Sequence, residues 1–411
     1  MAADNMKNFS ISSLSEYITL VEKHNLTDFI SRGEAEKHDA ILASAFRPFA
    51  KHRKYYNEKH IKQFYDYIGN GLTEMQKKHF LALSQHSGLP TFLLDFTTSP
   101  LISLFFACYK EVYTDNSNGF IYFIDNKRLV PIDEHIQNGF SGSLTEGFKN
   151  CDTPQNLHLF EHWISETDLE PYEVNNKEFT RDYLKMIISF IDIIANQDSE
   201  FTKTEMSQEL NNMLISFKSK SFDNFDHLQN ALLTLLQDMF KLFPEGSYIE
   251  DDVRVNWLRE RFDDGRELLD SEYPYPRIFD PFYENPYEIS WQSLLSYLLY
   301  IVSEFLPYST EKKYYLPFYA TYSPPNISGR VTTQNSIFIC QTFMSAKRNK
   351  NEFKPYKEFL VTQEIEPDYV FEIHNQKEIL CQLDSIGINL KSVFGDNDNI
   401  AKYIKNQLLD N

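Results

Sequence analysis

Glycine is scarce in this chain, at 13 of 411 residues. Little material is left for phosphate-cradling loops, and neither G-x-G-x-x-G nor G-x-x-x-x-G-K-[ST] occurs. A Rossmann dinucleotide domain and a P-loop NTPase are disfavoured on that ground. Cysteine is scarcer still. Cys108, Cys151, Cys340 and Cys381 are widely spaced and form no C-x-x-C pair, which argues against a disulfide framework and a structural zinc site. Reduced, mostly buried thiols are the plain reading. Basic residues are outnumbered, 40 against 59 acidic ones, for a formal charge of −19. Such a surface repels phosphate backbones and anionic lipid, so neither non-specific nucleic-acid binding nor a membrane partner is expected of the whole molecule. A local basic patch or a basic protein partner stays compatible with it. Long apolar runs are missing as well. Stretches such as Leu101–Cys108 are far too short to span a bilayer. The first residues lack a basic segment followed by an apolar one, so no signal peptide is expected. A soluble, cytoplasmic protein is the expectation.

Aromatic residues are abundant. With 34 Phe and 25 Tyr the chain has the makings of a packed globular protein. Its length suits two or three ordinary domains, or one domain carrying a large insertion.

Apolar spacing at Leu14, Tyr17, Ile18, Val21 and Leu26 predicts a helix over 12–27. A short strand is expected around Phe29–Ser31, ending at Arg32-Gly33. Residues 55–84 read as helical, closing near Gly88-Leu89-Pro90. Leu93–Phe96 is a candidate buried strand, Pro100 sits where a first-turn helix proline belongs, and Leu101–Tyr109 continues that helix. Gly119–Asp125 reads as a strand. From about 131 acidic and amide residues dominate, with helical stretches near 180–195, 205–217, 225–243 and 288–306. Strand character returns at Tyr314–Tyr322 and Ser336–Phe343, and a helix-plus-loop segment starts at Lys377. The expected class is α+β, with one core (1–130 and 314–411) interrupted by a mainly helical insertion or lobe (131–313).

The most unusual segment runs from Gln85 and His86 to Pro100. It sets an imidazole, an amide, hydroxyls and the carboxylate of Asp95 among apolar residues. Asp95 inside an apolar strand is expected to be buried and so to need a partner. The bland alternative is a satisfied polar network with helix caps at Thr98 or Ser99.

This segment resembles the G-L-P-T-R-L-L-D-W-T-x-S-P motif of the FRG-domain family, followed here by Ser103-Leu104-Phe105-Phe106-Ala107. The family's Phe-Arg-Gly would be Ser31-Arg32-Gly33, and its R-I/V-x-x-Q-x-x-x-F would start at Arg330 with Gln334 as the glutamine. Gly387-Ile388 and Val393-Phe394-Gly395-Asp396 resemble its closing segment. Ser31, Phe92 and Phe96 depart from the family's Phe, Arg and Trp; the loss of an Arg removes a fixed cation with five donors.

The resemblance implies an ADP-ribosyltransferase-like split β core with surrounding helices, and NAD as substrate. Cleaving the nicotinamide–ribose bond develops a cationic sugar, so such an enzyme must chiefly hold the dinucleotide still and exclude water. Arg32 would clamp a phosphate or ribose, and Gly33 would let the backbone approach the ligand. Thr97, Thr98 and Ser99 would shape the nicotinamide pocket, with His86 nearby, and Gln334 would bond ribose hydroxyls. A glutamine is no general base, so Asp95, Glu34 or His86 would have to serve. The implied role is an effector that modifies RNA or protein, a toxin or phage-defence component with an inhibitory antitoxin partner. A non-catalytic nucleotide- or protein-binding module is the alternative.

Other patterns compete. His158–His162 fits H-x-x-E-H, a zinc-peptidase spacing, though a surface helix with two histidines is the plainer account. Lys51–Lys62 and Lys347–Lys357 are basic stretches, the first interleaved with tyrosines as in single-strand binders; solvated faces are again the plainer account. Asp251-Asp252 and Asp263-Asp264 lack metal-loop spacing.

Overall fold

A computed structural model describes residues 7–47, 58–110, 118–133, 142–144, 159, 177–197, 203–242, 291–325, 327, 329–348 and 357–409. Two compact units emerge. The first comprises Met1–Gly142, Phe318–Gln341 and Ile365–Asn411; the second comprises Ser143–Pro317 and Thr342–Glu364. Sheets and helices mix in the chain, in keeping with the expected α+β class.

Among the described residues the first unit is built on eight strands: β1 (Lys7–Ile11), β2 (Phe29–Glu34), β3 (Leu93–Thr97), β4 (Gly119–Asp125), β5 (Leu129–Pro131), β7 (Tyr319–Tyr322), β8 (Ser336–Cys340) and β11 (Tyr369–Ile373). Their order is β1-β11-β4-β2-β3-β8-β7-β5. Neighbours run antiparallel through the middle, and only the two outermost pairs, β1 with β11 and β5 with β7, are parallel. The centre of the sheet thus joins β2 and β3 from the first hundred residues to β8.

Helix α1 (Leu14–Lys23) starts where Ser13 accepts a hydrogen bond from the Glu16 amide, and it buries Tyr17 and Val21. The stretch expected as one helix over 55–84 is several short ones, α2 (Glu58–Ile68), α3 (Glu74–Lys78) and α4 (Phe80–His86). Gly69-Asn70-Gly71 breaks the first, and Thr73 with Gln76 restarts the next through a reciprocal capping box. Helix α5 (Pro100–Cys108) has Pro100 in its first turn, as expected; Ser99 holds the N-cap position but its hydroxyl makes no capping bond.

Helix α5 is apolar nearly all round because it is packed nearly all round. Phe105, Leu104 and Cys108 join Tyr17, Phe123 and Phe371 in one core cluster with Ile379, Leu383, Leu390 and Val393. These last come from α11 (Gln376–Ser385) and α12 (Leu390–Phe394); α13 (Asn397–Leu409) follows, and α10 (Gly329–Thr333) precedes β8.

The second unit holds α6 (Lys177–Ala195), α7 (Glu205–Lys218), α8 (Phe225–Lys241), α9 (Trp291–Phe305) and three strands, β6 (Lys313–Tyr314), β9 (Phe343–Arg348) and β10 (Lys357–Gln363), ordered β6-β10-β9. Helix α6 shows why such a bundle forms. Tyr183, Met186, Ile187, Phe190, Ile191 and Ile194 repeat at three- and four-residue steps and are all fully buried.

Among the described residues no helix is long and apolar enough to cross a membrane.

Candidate functional site

Strand β2 sorts its side chains by the two-residue period of an extended chain. Ser31 turns toward α5, where its hydroxyl, wholly buried, meets that of Ser103 at 3.0 Å. Gly33 faces the same helix so closely that a Cβ there would lie 1.9 Å from the Ser103 carbonyl oxygen. Arg32 and Glu34 take the opposite face. The Arg32 guanidinium donates through Nε to Glu34 Oε1 at 3.0 Å and through Nη1 to the Asp95 carbonyl at 2.7 Å, which fixes it at both ends.

A cavity of about 410 Å³ opens beside this pair. Arg32–Glu36 form one wall, His38 and Arg47 come from the segment that follows β2, and Tyr109 and Lys110 come from the end of α5. Arg32, Arg47 and Lys110 share the lining with Glu34 and Glu36, so it carries more cations than carboxylates in a chain of charge −19. Arg47 is held by its Nε to the Leu42 carbonyl at 2.9 Å, while Nη2 stands 3.9 Å from Glu34 Oε1. Burial lowers the Arg47 pKa, and the Arg32 cation lowers it further. Burial also lowers that of Lys110. Across the sheet from Arg32, burial pushes the Tyr122 hydroxyl up to about 12, with the Glu34 charge adding to the effect.

Glu34 itself is 6% exposed. Its Oε1 takes both arginine contacts, and its Oε2 is shielded from solvent with no hydrogen-bond partner among the described residues. A buried polar atom left so costs about 1–3 kcal/mol, and more when charged.

The other residues expected at the site gather where β3 leaves the sheet. Thr97 pairs with Ser31 and donates its hydroxyl to the Gln334 carbonyl at 2.7 Å. Thr97 Oγ1 in turn accepts from the Ser99 amide at 3.0 Å, and the Thr98 amide donates to the Asn335 carbonyl at 3.2 Å. Gln334 thus meets Thr97 through its backbone, in a turn that Asn335 completes with φ +45°. Thr98 is exposed. Of the expected residues, Arg32 and Gly33 line the cavity; Asp95, Thr97, Thr98, Ser99, Gln334 and His86 do not.

Asp95 needs correcting. Leu94 and Phe96 are buried, and the pleat between them turns Asp95 outward, so its carboxylate is exposed and accepts a hydrogen bond from Gln85 Nε2 at 3.0 Å. His86 lies edge-on to Phe338, with ring centroids 5.8 Å apart. Phe92, where the resemblance leads one to expect an Arg beside the pocket, is buried in the core.

Sequence reasoning missed His38, Arg47 and Lys110. The alternation of charge from Arg32 to His38 just past a strand was a usable signal for the first; the others arrive through a loop and a helix end, which local pattern does not join. The His158–His162 motif lies outside the described residues apart from Leu159, as do the paired aspartates near 251 and 263 and most of both basic stretches. Among the described residues no group of three or more His, Cys, Asp or Glu could hold a metal ion. The described part of the first basic stretch leaves Lys59 and Lys62 exposed on α2, with Tyr67 79% exposed near its end.

The FRG-domain family model matches residues 27–116, a span that contains every residue lining the cavity. Residues 27–116 of the chain carry an FRG domain. Its FRG segment supplies β2, the cavity wall and α5, whereas Gln334 comes from outside the matched span. No curated protein and no solved structure matches this FRG-domain chain significantly.

Proposed function

We propose that this FRG-domain protein is an ADP-ribosyltransferase-like enzyme that uses NAD and passes ADP-ribose to a macromolecule, RNA or protein. The observation that carries the reading is Arg32, braced between Glu34 and the Asp95 carbonyl in the wall of a cavity rich in cations. A pyrophosphate needs fixed, oriented positive charge, and an arginine already held at two points supplies it at little further ordering cost.

Transfer breaks the bond between the nicotinamide nitrogen and the ribose anomeric carbon, and the electron pair leaves with nicotinamide. A nucleophile on the acceptor forms the new bond to that carbon and gives up its proton. The protein's part is to hold the phosphates, shield the developing positive charge from water and receive the proton. Of the two carboxylates in the cavity wall Glu34 is the buried one, so it replaces Asp95 as the favoured base; Asp95 is exposed and bonded to Gln85. The antiparallel run β4-β2-β3-β8 is compatible with a split β core of the transferase type. A cytoplasmic toxin or phage-defence role, with an inhibitory antitoxin partner, follows from such an activity because it would damage its host unchecked.

One observation favours the rival, a non-catalytic nucleotide-binding module: Gln334 is neutral and is held to Thr97 by its backbone. Labelled NAD incubated with purified protein and whole-cell extract separates the two. Label in the RNA or the protein fraction, lost in a folded Arg32→Ala variant, supports transfer. Binding of NAD with neither label nor released nicotinamide would establish the module instead.

A further inference from the structure

Glu34 has more capacity than the fold uses. Its Oε1 is taken by Arg32 at 3.0 Å and approached by Arg47 at 3.9 Å, while Oε2, buried, meets no donor among the described residues. An ionised carboxylate has about four acceptor sites, and native proteins seldom leave a buried one idle without a reason. The residue lines the cavity, and the terminal torsion of a Glu side chain is broad, so a small turn presents the idle oxygen to an incoming group. That group must be a donor, because a carboxylate cannot donate. It must also belong to an anion, because Arg47 and Lys110 share the lining with Glu34. The Arg47 Nη2 stands beyond hydrogen-bond length from Glu34 and is 43% exposed as a side chain, well placed to meet a phosphate. Glu34 alone would repel a bare phosphate. Phosphate and hydroxyl in one ligand satisfy both halves of the wall.

We propose that Glu34 is the hydroxyl-binding residue of this cavity, which takes a phosphorylated sugar with its phosphate on Arg47 and Lys110 and a sugar hydroxyl on Glu34 Oε2. This deepens the NAD reading and rests on it for the identity of the sugar, yet it does not need the transfer step.

Calorimetric titration with ADP-ribose and with inorganic pyrophosphate tests it, on the full chain and on Glu34→Gln, Glu34→Asp and Arg47→Ala. Thermal unfolding of each variant establishes that it is folded. Glu34→Gln exchanges an acceptor for a donor and removes a negative charge. It is expected to weaken ADP-ribose about tenfold, the worth of one charge-assisted hydrogen bond, while pyrophosphate binds as before or more tightly. Glu34→Asp keeps the charge but withdraws the oxygen, and is expected to lose ADP-ribose affinity without gaining any for pyrophosphate. Arg47→Ala is expected to weaken both ligands. Equal loss of both in Glu34→Gln, no loss of either, or no binding of ADP-ribose to the unaltered protein overturns the assignment. Selective loss of ADP-ribose in a protein that transfers no label from NAD leaves Glu34 in its role and overturns the transferase reading alone.

Discussion

The hydroxyl of Thr97 donates to the backbone carbonyl of Gln334 across 2.7 Å, joining the end of β3 to the turn that starts β8. Two segments 237 residues apart in the chain meet at this bond. The Ser99 amide uses Thr97 Oγ1 as its acceptor at 3.0 Å, so a single side chain organises the approach to α5.

Replacing Thr97 with Val keeps the β-branched shape and removes both bonds. Thr97 is 5% exposed, so the carbonyl and the amide are left poorly solvated, at a cost of about 1–3 kcal/mol. Urea unfolding is expected to show that loss with an unchanged slope. A midpoint equal to that of the unaltered protein would mean that solvent replaces both partners freely.

Gly33 and Gly71 give a pair of opposite expectations. A Cβ at Gly33 would lie 1.9 Å from the Ser103 oxygen and 2.7 Å from the Ala107 nitrogen, both backbone atoms of α5. Helix and strand must then separate, and Gly33→Ala is expected to lose about 1–3 kcal/mol or more. Among the described residues nothing stands within 4 Å of a Cβ at Gly71, and its φ is not in the left-handed region. Gly71→Ala is expected to gain about 0.4–1 kcal/mol by restricting the unfolded chain. Thermal melts of the two variants should move in opposite directions; a common direction would refute the steric account of Gly33.

The ease of reading such features from sequence varies by element. Pro100 and the apolar run behind it announced α5, and Phe29 onward announced β2, because local period and a first-turn proline act over a few residues. Strand β1, KNFSI, has no such signal: it is mostly exposed and owes its place to β11, with Lys7 opposite Tyr369. No local period encodes a partner that far along the chain. At the site, Arg32-Gly33 was legible from its motif. Arg47 and Lys110 were not, since a loop and a helix end bring them to the cavity. The apolar neighbours of Asp95 point to burial, whereas the pleat puts it on the other side from Leu94 and Phe96.

Gln376 bears on the cavity from outside the matched FRG span. Its Nε2 donates to the Ala35 carbonyl at 2.9 Å and to the Ala107 carbonyl at 2.5 Å, one on the strand-end wall and one just before Tyr109 and Lys110. Gln376→Met keeps the length and loses both donors. About 1–3 kcal/mol of stability should go with them, and ADP-ribose affinity should fall in a variant whose Arg32 and Glu34 are intact. If stability drops while affinity holds, Gln376 supports the fold without setting the cavity.

Acid is expected to destabilise the first unit through His79. Its Nδ1 lies 2.6 Å from the Tyr322 hydroxyl, their rings stack, and His79 is only 4% exposed. Burial lowers its pKa below the usual 6.5, with the Lys78 charge adding to the shift and Asp133 opposing it. The sign follows from proton counting. Between pH 6.5 and the lower folded value, the unfolded chain binds a proton at His79 that the folded protein does not. Each step down in pH therefore favours unfolding, and the contribution is complete above pH 6.5. Denaturant midpoints followed downward from pH 7 should fall in the unaltered protein. In His79→Gln, which keeps a polar side chain beside Tyr322 but cannot titrate, the fall should be shallower. Parallel curves for the two proteins would assign the acid sensitivity to carboxylates elsewhere in a chain that carries 59 of them.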